Sequence, residues 1–144
     1  MSLNVELLEQ SFEQIKPSAN EFVSTFYTTL FENYPDAASL FANTDMAKQK
    51  KKLLNALVLV IQNLRKPEVL NSALRGLGAK HIAYGTLPEH YPLVGITLIK
   101  TFEFYLGKDW TPELQQAWAD AYDAIAALML EGASYSEEAI KLTL

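Results

Sequence analysis

The chain contains no cysteine, and that absence excludes a disulfide framework, a thiolate metal site and a cysteine nucleophile together. It also points to a reducing, cytoplasmic setting. Histidine is almost as scarce: His81 and His90 stand nine positions apart across an expected helix end, so hydrolytic constellations have little to stand on. Glycine and proline number six each, with no glycine-rich phosphate loop, and the prolines fall singly at expected element borders. No uninterrupted apolar run approaches the roughly 18 residues that span a bilayer. The opening Met1-Ser2-Leu3-Asn4 lacks the charged and then apolar pattern of an export signal, so no membrane span is expected. Alternating apolar and polar residues and Asn-Gly hairpins are missing as well, which removes the sheet classes.

What remains is a chain of 144 residues, 49% hydrophobic and 20% charged, the composition of one folded domain. Twelve basic against 17 acidic residues give a net charge of −5, which argues against a broad nucleic-acid footprint. Lys48, Lys50, Lys51 and Lys52 nevertheless concentrate four of the positive charges in five positions. That run reads as a solvated helix face, or as a contact for cofactor carboxylates or an acidic redox partner.

Apolar residues recur every three and four positions along the chain. Val5, Leu8, Phe12 and Ile15 mark a helix that stops near Pro17, and Phe22, Phe26 and Leu30 mark a second that ends at Pro35. Ser18 and Glu21 have the spacing of a capping box for the second helix. After a short turn through Leu40 and Phe41, Thr44 or Asp45 can cap a long helix that starts near Met46 and closes at Lys66-Pro67. Pro67 opens another, with Leu70, Leu74, Leu77, His81 and Tyr84 on one side and Gly85 as its stop. Pro88 and Pro92 bracket an expected kinked connector holding His90 and Tyr91, before a helix from Val94 to Gly107. Thr111-Pro112 starts the last helix, whose stripe is Leu114, Trp118, Tyr122, Ile125 and Met129, up to Gly132. The expectation is an all-α domain over residues 1–132 with a tail at 133–144.

His81 is the residue whose chemistry conflicts with its position, an imidazole in line with Leu70, Leu74 and Leu77. Spacing leaves two readings: a core histidine bonded to a backbone carbonyl, or a metal ligand. The carboxylates are scattered and lack the Glu-x-x-His pairing of a di-iron bundle.

Four stretches, taken in order and at their intervals, carry a family resemblance. They are Phe26-Tyr27 with Leu30-Phe31 and Pro35; Leu40-Phe41; Lys80-His81 followed by Glu89-His90-Tyr91-Pro92-Leu93-Val94-Gly95; and Ala117-Trp118 with Ala121-Tyr122. Over roughly residues 3 to 132 the sequence resembles the globins, specifically single-domain bacterial haemoglobins and the haem domain of flavohaemoglobins. The resemblance implies a globin fold of about six to eight helices around one haem pocket.

It also implies haem b (iron protoporphyrin IX) with His81 as the proximal iron ligand and Phe41 packed on the porphyrin. Leu53, Leu57, Val94 and Leu98 would line the pocket with Phe26 and Leu77, and Lys80 would reach a propionate. Tyr27, Gln49 and Leu53 fall at the distal positions. Gln49 and Leu53, four apart, share a helical face toward a ligand while the neighbouring lysines turn away. The implied function is reversible binding of dioxygen and other diatomic gases, for oxygen storage or transport. Nitric oxide scavenging would require an external reductase, because the 144 residues hold no flavin or nicotinamide module. A haem-based gas sensor and a haem-free regulatory module are the alternatives.

Two departures from the flavohaemoglobin pattern stand out. There a tyrosine and a glutamate hydrogen-bond near the proximal histidine and make it more basic. Tyr91 fits the first place, whereas the second falls on Ala133, with Glu131 about 200° round the helix.

Overall fold

The computed structural model describes residues 4–83 and 89–132, the side chains of 81–83 excepted. The described part is helical throughout, with no strand, in the order α1 (Val5–Ile15), α2 (Ala19–Asn33), α3 (Pro35–Ala38), α4 (Met46–Gln62), α5 (Pro67–Ala83), α6 (His90–Leu106) and α7 (Pro112–Gly132). The all-α expectation is borne out. The expected stop at Gly85, the connector at Pro88 and the tail at 133–144 lie outside the described residues.

The helix ends follow from side-chain chemistry. Asn4 accepts from the Leu7 N–H at 3.3 Å and opens α1. Asp45, rather than Thr44, caps α4 by accepting from Ala47 and Lys48 N–H at 3.1 and 3.4 Å. Thr111 accepts from the Leu114 N–H at 3.1 Å at the start of α7. Gly107 has φ +53°, a conformation open to glycine, and ends α6.

Two boundary expectations need correction. Ser18 makes no capping bond to α2. It closes a 3₁₀ turn, Lys16–Ser18, that runs α1 almost directly into α2, and its φ −111°, ψ 22° lie outside the extended region a cap needs. The expected connector around His90 and Tyr91 is instead the first turn of α6, with Pro92 at the third helical position. Proline is tolerated there because a first-turn N–H has no partner inside the helix.

One apolar core joins the helices. Leu8, Phe12, Phe22, Phe26, Leu74, Phe102 and Trp118 are buried within it, and burying each large side chain is worth about 1.5–3 kcal/mol. Phe102 sits at its centre, stacked on Trp118 with ring centroids 4.1 Å apart and tilted against Phe22 at 4.8 Å. Two polar groups within it satisfy one another: the Trp118 indole donates to Ser11 Oγ at 2.9 Å, and Ser11 in turn donates to the Leu7 carbonyl at 2.7 Å.

Helix α5 packs chiefly on α7, and two glycines set how closely. A Cβ on Gly78 would overlap the Met129 backbone, and one on Gly132 would overlap that of Arg75. Arg75 and Glu131 add an exposed ion pair of 2.9 Å across the same seam, which accounts for the carboxylate nearest the Ala133 position. Helix α2 crosses α6, where Thr25 and Tyr105 hydroxyls meet at 2.9 Å.

Candidate functional site

Helices α2 and α4 bring Tyr27 and Gln49 together across 22 positions of sequence. Gln49 Nε2 donates to Tyr27 Oη at 3.0 Å. Tyr27 is 5% exposed, and its ring is held by Phe26 edge-on at 5.0 Å, Phe31 at 5.9 Å and Phe41 at 5.7 Å. Burial pushes its phenol above the ordinary value and outweighs the Gln49 bond, which pulls the other way. The hydroxyl therefore stays protonated through the neutral range, and with its oxygen accepting from Gln49 its own proton is available to donate.

Phe41 lies in a 3₁₀ turn, Ser39–Phe41, half-buried against Phe31 at 5.4 Å. On α4, Leu53 is partly buried one turn beyond Gln49, and Leu57 a turn further is buried. On α5, Leu77 is partly buried, Lys80 is exposed, and the backbone of His81 is helical. The placement of the His81 ring lies outside the described residues. On α6, Val94 is partly buried, while Tyr91 and Leu98 are buried. The structure thus joins Tyr27, Gln49 and Phe41 in direct contact, and distributes the remaining candidates over α4, α5 and α6.

Three positions acquire roles that periodicity did not suggest. Phe31 braces both Tyr27 and Phe41. Tyr122, read from its spacing as core, donates its hydroxyl to the Tyr91 carbonyl at 2.6 Å, and burial raises its phenol strongly. Gly95 makes that possible, because a Cβ there would stand 2.7 Å from the Tyr122 ring. The signal was present in the Gly95 of the α6 stretch, but a helical glycine does not announce which ring lies above it.

A haem group is held by an axial side-chain ligand such as an imidazole, within apolar walls and with a few donors on one side. The described residues fit it: Phe41, Leu53, Leu77 and Val94 are apolar yet only partly buried, as walls of a large flat ligand are, and two polar side chains, Tyr27 and Gln49, meet beside Phe41. His81 supplies the ligating residue type on α5. Among the described residues no cluster of three or more histidine and carboxylate groups could hold a bare metal ion, and no helix is long and apolar enough to cross a membrane.

Comparison with known proteins follows the same line. The family model Globin matches residues 24–129. An uncharacterized globin-like protein of Aquifex aeolicus is 30% identical over 92% of this chain and 95% of its own length. The anaerobic nitrite reductase HBII of Casuarina glauca is 31% identical, over 87% of this chain and 88% of its own. A flavohemoprotein of Rhodopirellula baltica is 30% identical over 94% of this chain, which spans only about a third of that protein, 34%. Among solved structures, an engineered carbene transferase, a proposed nitric oxide dioxygenase from Rhodothermus marinus, matches with TM-score 0.81 at 30% identity, covering 97% of this chain and 96% of that one. A bacterial globin from Campylobacter jejuni shares the fold with TM-score 0.77 at 22% identity, over 90% and 93% of the two chains. With a helical core, a convergent donor pair and a family match over most of its length, the chain belongs to the globin family of haem-binding helical proteins.

Proposed function

We propose that this globin holds haem b through His81 on α5 and binds dioxygen reversibly. The observation that carries the reading is the Tyr27–Gln49 hydrogen bond, a protonated phenol and an amide joined at 3.0 Å beside an apolar wall. Haem, when bound, would supply the iron to which a diatomic gas attaches. The chain's own residues do the rest. Phe41 would pack on the flat face, Leu53, Leu57, Val94 and Leu98 would exclude water, and Lys80, exposed on α5, would meet a propionate. Dioxygen held there draws negative charge, and the Tyr27 hydroxyl with the Gln49 amide would stabilise it, each by about 1–2 kcal/mol. Tyr91, whose carbonyl accepts from the Tyr122 hydroxyl, would border the proximal side.

Storage or transport of oxygen in the cytoplasm is the use this arrangement supports first. A second reading, nitric oxide scavenging, takes its support from the flavohemoprotein relatives, of which the chain spans 31% and 34%, and requires a reductase. Purified protein supplied with haem should show a Soret band that moves on adding oxygen, and His81→Ala should lose the haem or hold it loosely. A protein that stays colourless with haem in excess would overturn the proposal and leave a haem-free regulatory module. Continuous nitrate production from nitric oxide with a reductase present, against a single stoichiometric oxidation, separates scavenging from carriage.

A further inference from the structure

Helix α4 has a charge distribution that its own stability does not account for. Its 17 residues include four lysines and no carboxylate. The remaining eight basic residues of the chain share the rest of the molecule with all 17 acidic ones. All four lysines stand in the first half of the helix, where the exposed N–H groups already present a partial positive charge, and Lys48, Lys51 and Lys52 are spaced three and four apart. Both features are mildly destabilising. Asp45 answers only the helix terminus, through Ala47 and Lys48 N–H.

Lys48, Lys51 and Lys52 are exposed, and Lys50, on another side, is partly buried. Lys48, Lys50 and Lys51 form no ion pair among the described residues, whereas Lys52, though exposed, already has a partner of its own. The lysine face is completed by Ala47 and Asn55, both exposed. It offers no aromatic or large apolar side chain to enter a bilayer, which disfavours a lipid surface. The acidic excess on the rest of the chain disfavours a nucleic acid, whose phosphates extend past so small a patch.

We propose that the Lys48–Lys51–Lys52 face of α4 is a docking surface for an acidic protein partner. It lies next to the pocket: Gln49, within the lysine run, is turned about 100° from Lys48 and reaches Tyr27. A partner seated on the lysines therefore rests at the rim of the candidate gas site. An acidic electron donor for the iron of the proposed function would be one such partner, and only that last identification rests on the functional reading.

The test is an amide-shift titration of isotope-labelled, haem-supplied protein with oxidised flavodoxin, a strongly acidic probe, beside a Lys48→Gln/Lys51→Gln/Lys52→Gln variant. Shifts should gather on residues 46–55, and the variant should weaken Kd at least about tenfold at low salt. Raising salt to about 0.5 M should remove most of that difference by screening. Shifts centred elsewhere, or equal Kd for both proteins, would overturn the proposal. So would lysine-dependent sedimentation with phosphatidylglycerol vesicles, which assigns the face to lipid. Loss of supplied haem by the variant would overturn it in favour of propionate contacts. A protein without a Soret band sinks the functional reading alone, since the titration does not depend on colour.

Discussion

At the residue scale the molecule turns on a phenol that accepts one hydrogen bond and keeps a proton to give. Tyr27→Phe removes the donor and leaves the Gln49 amide without its acceptor inside a buried, aromatic surround. With haem supplied, oxygen dissociation should accelerate about five- to thirtyfold, measured by rapid mixing with a competing gas. An unchanged rate removes Tyr27 from the mechanism. Trp110 offers a contrast, since its indole N–H is buried with no partner among the described residues while its ring lies parallel to Phe102 at 6.5 Å. Trp110→Phe keeps an aromatic ring, smaller than the indole, and deletes the unpaired donor, so the unfolding free energy from denaturant titration should change by less than about 1 kcal/mol. Of these residues, Tyr27 and Gln49 were legible only as a pair of positions in a family pattern. Their bond was not, because 22 residues and a turn separate them and periodicity does not set the angle between helices. His81 was conspicuous as a polar side chain on an apolar stripe, yet composition alone could not choose between core partner and ligand.

At the scale of elements, the seam between α5 and α7 shows why glycine in a helix cannot be judged from sequence. Gly76 and Gly78 are two positions apart on α5, and both would ordinarily be read as weak points. A Cβ on Gly76 meets nothing, so Gly76→Ala should stabilise by about 0.5–1 kcal/mol. Gly78→Ala must push the Met129 backbone away and should cost about 1–3 kcal/mol. Thermal unfolding of the two variants side by side checks the sign of each. Helix ends were mostly readable, because Asp45 and Thr111 are capping types placed just before apolar periods. The start of α6 was not: Pro92 reads as a break, and only the fold shows that it occupies a first turn, where its missing N–H costs no bond.

At the scale of the whole molecule, Tyr27 and Tyr122 are held above the ordinary phenol value of 10.0 by burial. Above that pH the unfolded chain releases these protons first and the native state keeps them, so stability falls as pH rises past about 10. Below it neither group contributes a slope. Melting temperature followed from neutral to strongly alkaline pH should show that decline, and Tyr122→Phe should make it shallower, at a cost of about 1 kcal/mol for the lost bond to the Tyr91 carbonyl. Class and family were legible from the start because helical period and a chain-long set of stretches agree. The charge map was legible too, as a run of letters, but only the exposed face of α4 gives it a direction. The two bare positions at the α5–α7 seam reach furthest. Where neither backbone has clearance, one rod cannot slide past the other, so the wall that carries His81 is anchored to α7. Across from that fixed seam, the contact between α2 and α4 at Tyr27 and Gln49 is made by side chains, a joint whose give costs a hydrogen bond and not a main-chain clash.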